Sequence, residues 1–171
     1  KNNISKRTDF PKIAPKKIPP KGREDLTYQP SLLFQSWECS NSPSLPALYA
    51  QPYEGGYRIW LHAPAVSERI NIGGKLDNFL MEKGEIVCLG NNWLEFLNDS
   101  LRSASQFKLN EPCESISIMI DINSHGDVVN WNFSLSLIKP VQLITQNHIN
   151  AINNRKPTSK SIPITLKPVK D

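Results

Sequence analysis

Imidazole nitrogens, thiolates and carboxylates are the side chains that hold metals and move protons near neutral pH. In this chain they are dispersed. His62, His125 and His148 stand far apart, and Cys39, Cys88 and Cys113 are scattered between them. Zinc ligands come in close pairs; none is present, and no metal site is expected. Two-metal phosphodiester hydrolysis needs several carboxylates converging on magnesium, yet Glu38, Glu54, Glu68 and Asp77 occur singly. Nucleophilic catalysis fares no better. There is no Gly-x-Ser-x-Gly elbow, and Cys88 lies between Val87 and Leu89, as a small buried hydrophobe would. Gly73-Gly74 precedes a helical pattern and could face an anion there, but two glycines read better as a turn. His125 belongs to a turn and is expected to be exposed. His62 ends a strand and reads as a core or rim histidine. No cofactor is expected.

The formal charge of +4 is unevenly placed over the 171 residues. Residues 1–25 carry a net +5 and residues 155–171 a net +4, which leaves the middle of the chain at −5. Both ends are rich in Pro and Lys, with Pro11, Pro15, Pro19, Pro20 and Pro30 in the first thirty residues. Such composition predicts extended arms over 1–30 and 154–171 flanking one domain at 31–153. Lys6, Arg7, Lys12, Lys16, Lys17, Lys21, Arg23, Lys156 and Lys160 are the candidate contacts to RNA phosphates or an acidic partner, with Trp37 as an aromatic contact in a loop. Three scattered cysteines imply reduced thiols and a cytoplasmic or organellar stromal compartment. No apolar run reaches the roughly eighteen residues of a membrane span. The start lacks an apolar signal region and an initiator Met, as a processed chain would.

The elements that must position these residues are legible from periodicity. Ile116, Ile118, Ile120 and Ile122 alternate with Ser115, Ser117 and Asp121; Val129, Trp131, Phe133, Leu135 and Leu137 alternate with Asn130, Asn132, Ser134 and Ser136. Two period-two runs around Asn123-Ser124-His125-Gly126 predict a long β-hairpin over 115–138 with a buried apolar face that includes Trp131. A second hairpin is expected over 47–63 around Gly55-Gly56, and short strands at 31–34 and 86–89. Leu76, Phe79 and Leu80 predict a helix closed by Gly84, and Trp93, Leu94, Leu97 and Leu101 predict one over 93–104. A last helix is expected over 144–153 with Thr145 as cap. The fold class is α+β with a largely antiparallel sheet.

Residues 45–149 resemble, in segment order, the first half of the catalytic RNB domain of the ribonuclease II and ribonuclease R exoribonucleases. Tyr57-Arg58-Ile59-Trp60-Leu61-His62-Ala63-Pro64-Ala65-Val66-Ser67 is similar to the family strand ending in His-Ile-Ala-Asp-Val-Ser. Gly74-Lys75-Leu76-Asp77 resembles the family's helix start. Ser136-Leu137-Ile138-Lys139 resembles its Ser-Val-Ile-Arg, and Thr145 the Thr of its Leu-Thr-Tyr. The resemblance implies a magnesium-dependent 3′→5′ exoribonuclease site, with four Asp in the loop before an Ala-Leu strand. Matching Ala47-Leu48 to that strand puts Trp37, Pro43, Leu45 and Pro46 at the four positions. The Asp of His-Ile-Ala-Asp-Val-Ser becomes Ala65, the base-stacking Tyr becomes Cys88, and the Tyr of Leu-Thr-Tyr becomes Gln146.

The expectation is therefore a truncated, degenerate RNB-like domain that is not an enzyme. Its first reading is a binding or scaffold subunit of a protein or ribonucleoprotein assembly, engaged through the basic arms. The second is RNA binding without cleavage, with bases stacking on Trp37, Trp60, Trp93 or Trp131. The third is residual exoribonuclease activity, which the missing carboxylates oppose.

Overall fold

The computed structural model describes residues 22–35, 45–85, 87–89, 92–94, 97 and 99–153. Seven strands form one mixed sheet: β1 (Glu24–Leu26), β2 (Leu32–Phe34), β3 (Ala47–Tyr53), β4 (Gly56–Pro64), β7 (Cys113–Ile122), β8 (Val128–Ile138) and β9 (Gln142–Ile144). Their order is β1-β8-β7-β4-β3-β2-β9. The four inner pairings are antiparallel; β1 on β8 and β9 on β2 are parallel. A separate compact unit, Val66–Ser105, holds α1 (Lys75–Lys83), α2 (Asp99–Ser105) and a two-stranded ribbon of β5 (Val87–Leu89) and β6 (Asn92–Leu94). A third helix, α3 (Gln146–Asn153), follows β9.

Both predicted hairpins form. In the first, Glu54 and Gly55 take positive φ between Tyr53 and its partner Gly56, so the two-residue turn lies one position earlier than Gly55-Gly56 suggested. Gly56 instead enters β4, where a Cβ would collide with the Ile122 carbonyl. In the second, Gly126 (φ 89°) closes the turn and Asn123 Oδ1 accepts from the N–H groups of His125 and Asp127.

The covered face of the long hairpin is not the one expected. Leu26, Ala47, Trp60, Phe107 and Ile138 form the main core, with Tyr49, Cys113 and Met119 against it. Strand alternation puts Trp60 and Met119 on the same face as Ser115, Ser117, Asp121 and Ser136, all of which are buried. The isoleucine face is the opposite one. Its cross-strand row runs Leu32, Leu48, Leu61, Ile118 and Phe133. At the β2–β9 end Ile149 of α3 packs with Leu32, Ile144 and Phe34. At the β8 end Trp131 and Phe133 are each 60 % exposed and Val129 63 %. Alternation shows that two faces differ; it does not show which one the rest of the chain covers.

Three further expectations are corrected. The extended arm over 1–30 gives way by Glu24: β1 joins the sheet, and Leu26 and Gln29 are buried. Burial of one apolar residue and a parallel ladder to β8 outweigh the Pro/Lys composition of what precedes. Trp93 and Leu94 lie in β6, not a helix, and only the part from Asp99 is helical. Val87, Cys88 and Leu89 pair with Leu94, Trp93 and Asn92, and this ladder overrides the helical spacing. Ile144 ends β9, a strand with no sequence signal of its own, so α3 starts at Gln146. The α1 reading holds: Gly84 (φ 70°) ends it and its N–H donates to the Leu80 carbonyl. Leu76, Leu80 and Leu101 form the core of that unit.

Candidate functional site

The register gathers one end of the sheet into a rim. Leu32 opposite Leu48 sets the end of β2 beside the start of β3, and Ala47 opposite His62 adds the end of β4. Pro64 opposite Ser115 adds the start of β7, and Phe34 beside Ile144 brings Thr145 and Gln146 to the same end. Leu45, Pro46, Ala65, Thr145 and Gln146, far apart in sequence, thus lie along one edge of the fold. Leu45 and Pro46 are exposed, Ala65 is buried, and its N–H donates to the Glu114 carbonyl. Thr145 N–H donates to His148 Nδ1 at 3.1 Å, so this histidine caps the start of α3.

Behind the rim sits a buried polar cluster. His62 is wholly buried, with Nδ1 2.6 Å from Ser117 Oγ. Ser115 Oγ lies 2.6 Å from Ser136 Oγ and 3.3 Å from Ser117 Oγ, and the Ser117 and Ser136 hydroxyls also meet. Arg23 points inward and donates to the carbonyls of Ser115 and Ser136 at 3.4 and 3.5 Å. Burial lowers the His62 pKa to about 4, so the ring is neutral at physiological pH. His62 Nε2 is buried with no partner. A histidine–serine contact of this kind is the geometry of an activated hydroxyl, but with all four side chains buried no substrate can reach it. The cluster organises the strands. Serines alternating with isoleucines were its sequence signal, readable only once the covered face is known.

The opposite end of the sheet is locked by charge. Arg58 donates to both carboxylate oxygens of Asp121, at 2.6 and 2.8 Å, and Asn130 Nδ2 donates to Asp121 Oδ2 at 3.2 Å. The Arg58 guanidinium stands 3.7 Å from the centre of the Tyr53 ring. The hydrogen bond from Arg58 holds the Asp121 carboxyl below its ordinary range, and that from Asp121 raises the Arg58 pKa.

The other candidates distribute as follows. Trp60 is in the core beside Tyr49, with ring centroids 5.5 Å apart, and is not a stacking platform. Trp131 is exposed and meets Phe133 edge-on at 5.6 Å. His125 is exposed as expected. The Gly73 N–H is taken by the chain's own Asp77 carboxylate at 2.8 Å, which fills the place an anion would occupy. Lys6, Arg7, Lys12, Lys16, Lys17, Lys21, Trp37, Pro43, Lys156 and Lys160 lie outside the described residues, as do the side chains of Cys88 and Trp93.

A family profile for the RNB domain matches residues 23–170. The chain belongs to the RNB domain family. The match begins where β1 begins, so the strand that composition missed is part of the RNB domain. Protein sts5 of Schizosaccharomyces pombe is 23 % identical over 106 residues, covering 62 % of this chain and 10 % of sts5. Two solved structures share the fold at low identity. Mycoplasma genitalium RNase R, in complex with ribose-methylated single-stranded RNA, superposes with a TM-score of 0.74 at 16 % identity, over 86 % of this chain and 23 % of RNase R. Yeast Ssd1, a pseudonuclease, gives 0.69 at 14 % identity over 92 % of this chain and 20 % of Ssd1. This chain therefore spans a quarter or less of the length of each.

The magnesium that the RNB resemblance implies does not fit this donor set. Leu45, Pro46 and Ala65 offer only hydrocarbon at the rim, and Trp37 and Pro43 carry no carboxylate. Among the described residues no three His, Cys, Asp or Glu side chains come close enough to hold a metal. Among them, too, no helix is long and apolar enough to cross a membrane.

Proposed function

We propose that this RNB domain binds RNA without cleaving it, as a binding or scaffold subunit of a ribonucleoprotein assembly. What supports the reading is that Leu45 and Pro46, which the resemblance sets at magnesium-ligand positions, are exposed and carry no carboxylate. Electrostatic stabilisation by metal is the core of phosphodiester hydrolysis, so its loss abolishes turnover rather than tuning it. Two relatives of the same fold support the two halves of the proposal, one solved with RNA bound and one described as a pseudonuclease. The basic segments 1–25 and 155–171 supply the phosphate contacts, and binding through them falls steeply with salt.

The test uses labelled single-stranded RNA with and without Mg²⁺. Anisotropy should report salt-sensitive binding, and gels should show intact RNA. A Leu45→Asp/Pro46→Asp variant run alongside should also leave RNA intact, since Trp37 and Pro43 still interrupt the ligand set. Magnesium-dependent release of mononucleotides by the unmodified chain overturns the non-catalytic half. Absence of binding at low salt overturns the RNA half.

A further inference from the structure

β8 presents an edge that the sheet does not close. β1 pairs with it only at Ser136, Leu137 and Ile138. Among the described residues, no strand pairs with its outer side over 128–135. Soluble proteins guard such edges with charged residues, prolines or bulges, because unpaired N–H and C=O groups template association. Residues 128–138 contain no Lys, Arg, Asp, Glu or Pro. The register shift in this hairpin, at Asp121/Ile122, passes over Val129 and so bulges only the first residues of β8; from Asn130 onward the pairing with β7 is regular. The side chains along the edge are large and apolar: Val129, Trp131, Phe133 and Leu135, from 48 % to 63 % exposed.

The edge is also self-complementary. Its pattern reads the same in both directions from Asn132: apolar at 129, 131, 133 and 135, polar at 130, 132 and 134. We infer that β8 pairs antiparallel with β8 of a second copy of this chain, about a two-fold axis at Asn132. In that register Trp131 faces Phe133 of the partner subunit, and Asn130 faces Ser134 of the partner subunit. Directly opposed aromatic pairs stabilise a sheet. The ladder over 130–134 stops before Ser136, where the β1 ladder begins, so the two do not compete. With no formal charge on the strand, two copies meet without repulsion. The contact is isologous, so it closes at two copies and does not propagate.

Light scattering after size exclusion of the whole chain tests this, with no RNA present, so the outcome is independent of the RNA-binding reading. The expected mass is twice 19.3 kDa. Trp131→Lys alone and Phe133→Glu alone should each run as monomers with unchanged far-UV circular dichroism. Mixed in equal amounts, they should form a dimer again, because one of the two 131–133 pairs then sets opposite charges face to face and the other keeps Trp131 against Phe133. Several results overturn the inference: a wild-type monomer at the highest soluble concentration, a dimer indifferent to either variant, species growing beyond two copies, or a mixture that fails to pair while both variants remain folded.

Discussion

His62 and Ser117 are joined across neighbouring strands by a 2.6 Å contact between Nδ1 and Oγ, inside the protein with no access to water. This burial makes stability pH-dependent with a definite sign. Unfolded, His62 titrates near its ordinary value of about 6.5; folded, it titrates near 4 because burial disfavours the imidazolium. Between those values the unfolded chain binds more protons, so stability rises with pH. On acidification the contribution begins to fall near pH 6.5 and is fully lost near pH 4, a change of about 3 kcal/mol. Urea unfolding at pH 7.5, 6 and 5 should show the decline, and His62→Gln should flatten it. An equal slope in both proteins assigns the pH dependence elsewhere.

Asp121 gives a second, separate acid limb. Its carboxyl is held below the ordinary range by Arg58, so its contribution is present above about pH 4 and lost only as the pH falls further, toward its folded value. Arg58→Lys keeps the charge but loses the two-pronged donation and the flat contact with Tyr53. It should lower Tm nearly as far as Arg58→Ala does. A lysine variant that melts with the wild type shows that charge alone suffices.

The two hairpins, α1 and its Gly84 stop were legible because each rests on local periodicity and turn chemistry. Two kinds of feature were not. β1 and β9 are three residues long and exist through parallel ladders to β8 and β2, so their cause is remote in sequence. The covered face of β7 and β8 was misread because Ile and Trp were equated with interior and Ser with surface. Trp60 and Phe107 claim the serine side, and burial follows the whole arrangement of layers, not the polarity of one strand.

Gly56 should be the least replaceable glycine of the sheet. A Cβ there meets the Ile122 carbonyl and comes within 2.9 Å of Asn123 backbone atoms, so the β4–β7 ladder must open to admit it. Gly56→Ala is expected to cost about 3 kcal/mol by overpacking. Gly55→Ala meets no atom within 4 Å and bears only its left-handed φ of 81°, about 1 kcal/mol. Paired thermal melts of the two variants decide whether close approach or backbone strain dominates this corner; a reversed order rejects the assignment.

Ser115 and Ser136 should behave as one unit. Their hydroxyls are 2.6 Å apart and buried, and each also has Ser117 Oγ within reach. Removing one hydroxyl leaves its partner buried and short of a hydrogen bond, which costs about 1–3 kcal/mol. Removing both leaves less to satisfy. Ser115→Ala and Ser136→Ala are therefore each expected to destabilise by that amount, and the double variant by clearly less than their sum. A double-mutant cycle on urea midpoints measures the coupling. Additive losses would mean that the two hydroxyls act separately, with the strands held together by backbone pairing and the Trp60 core alone.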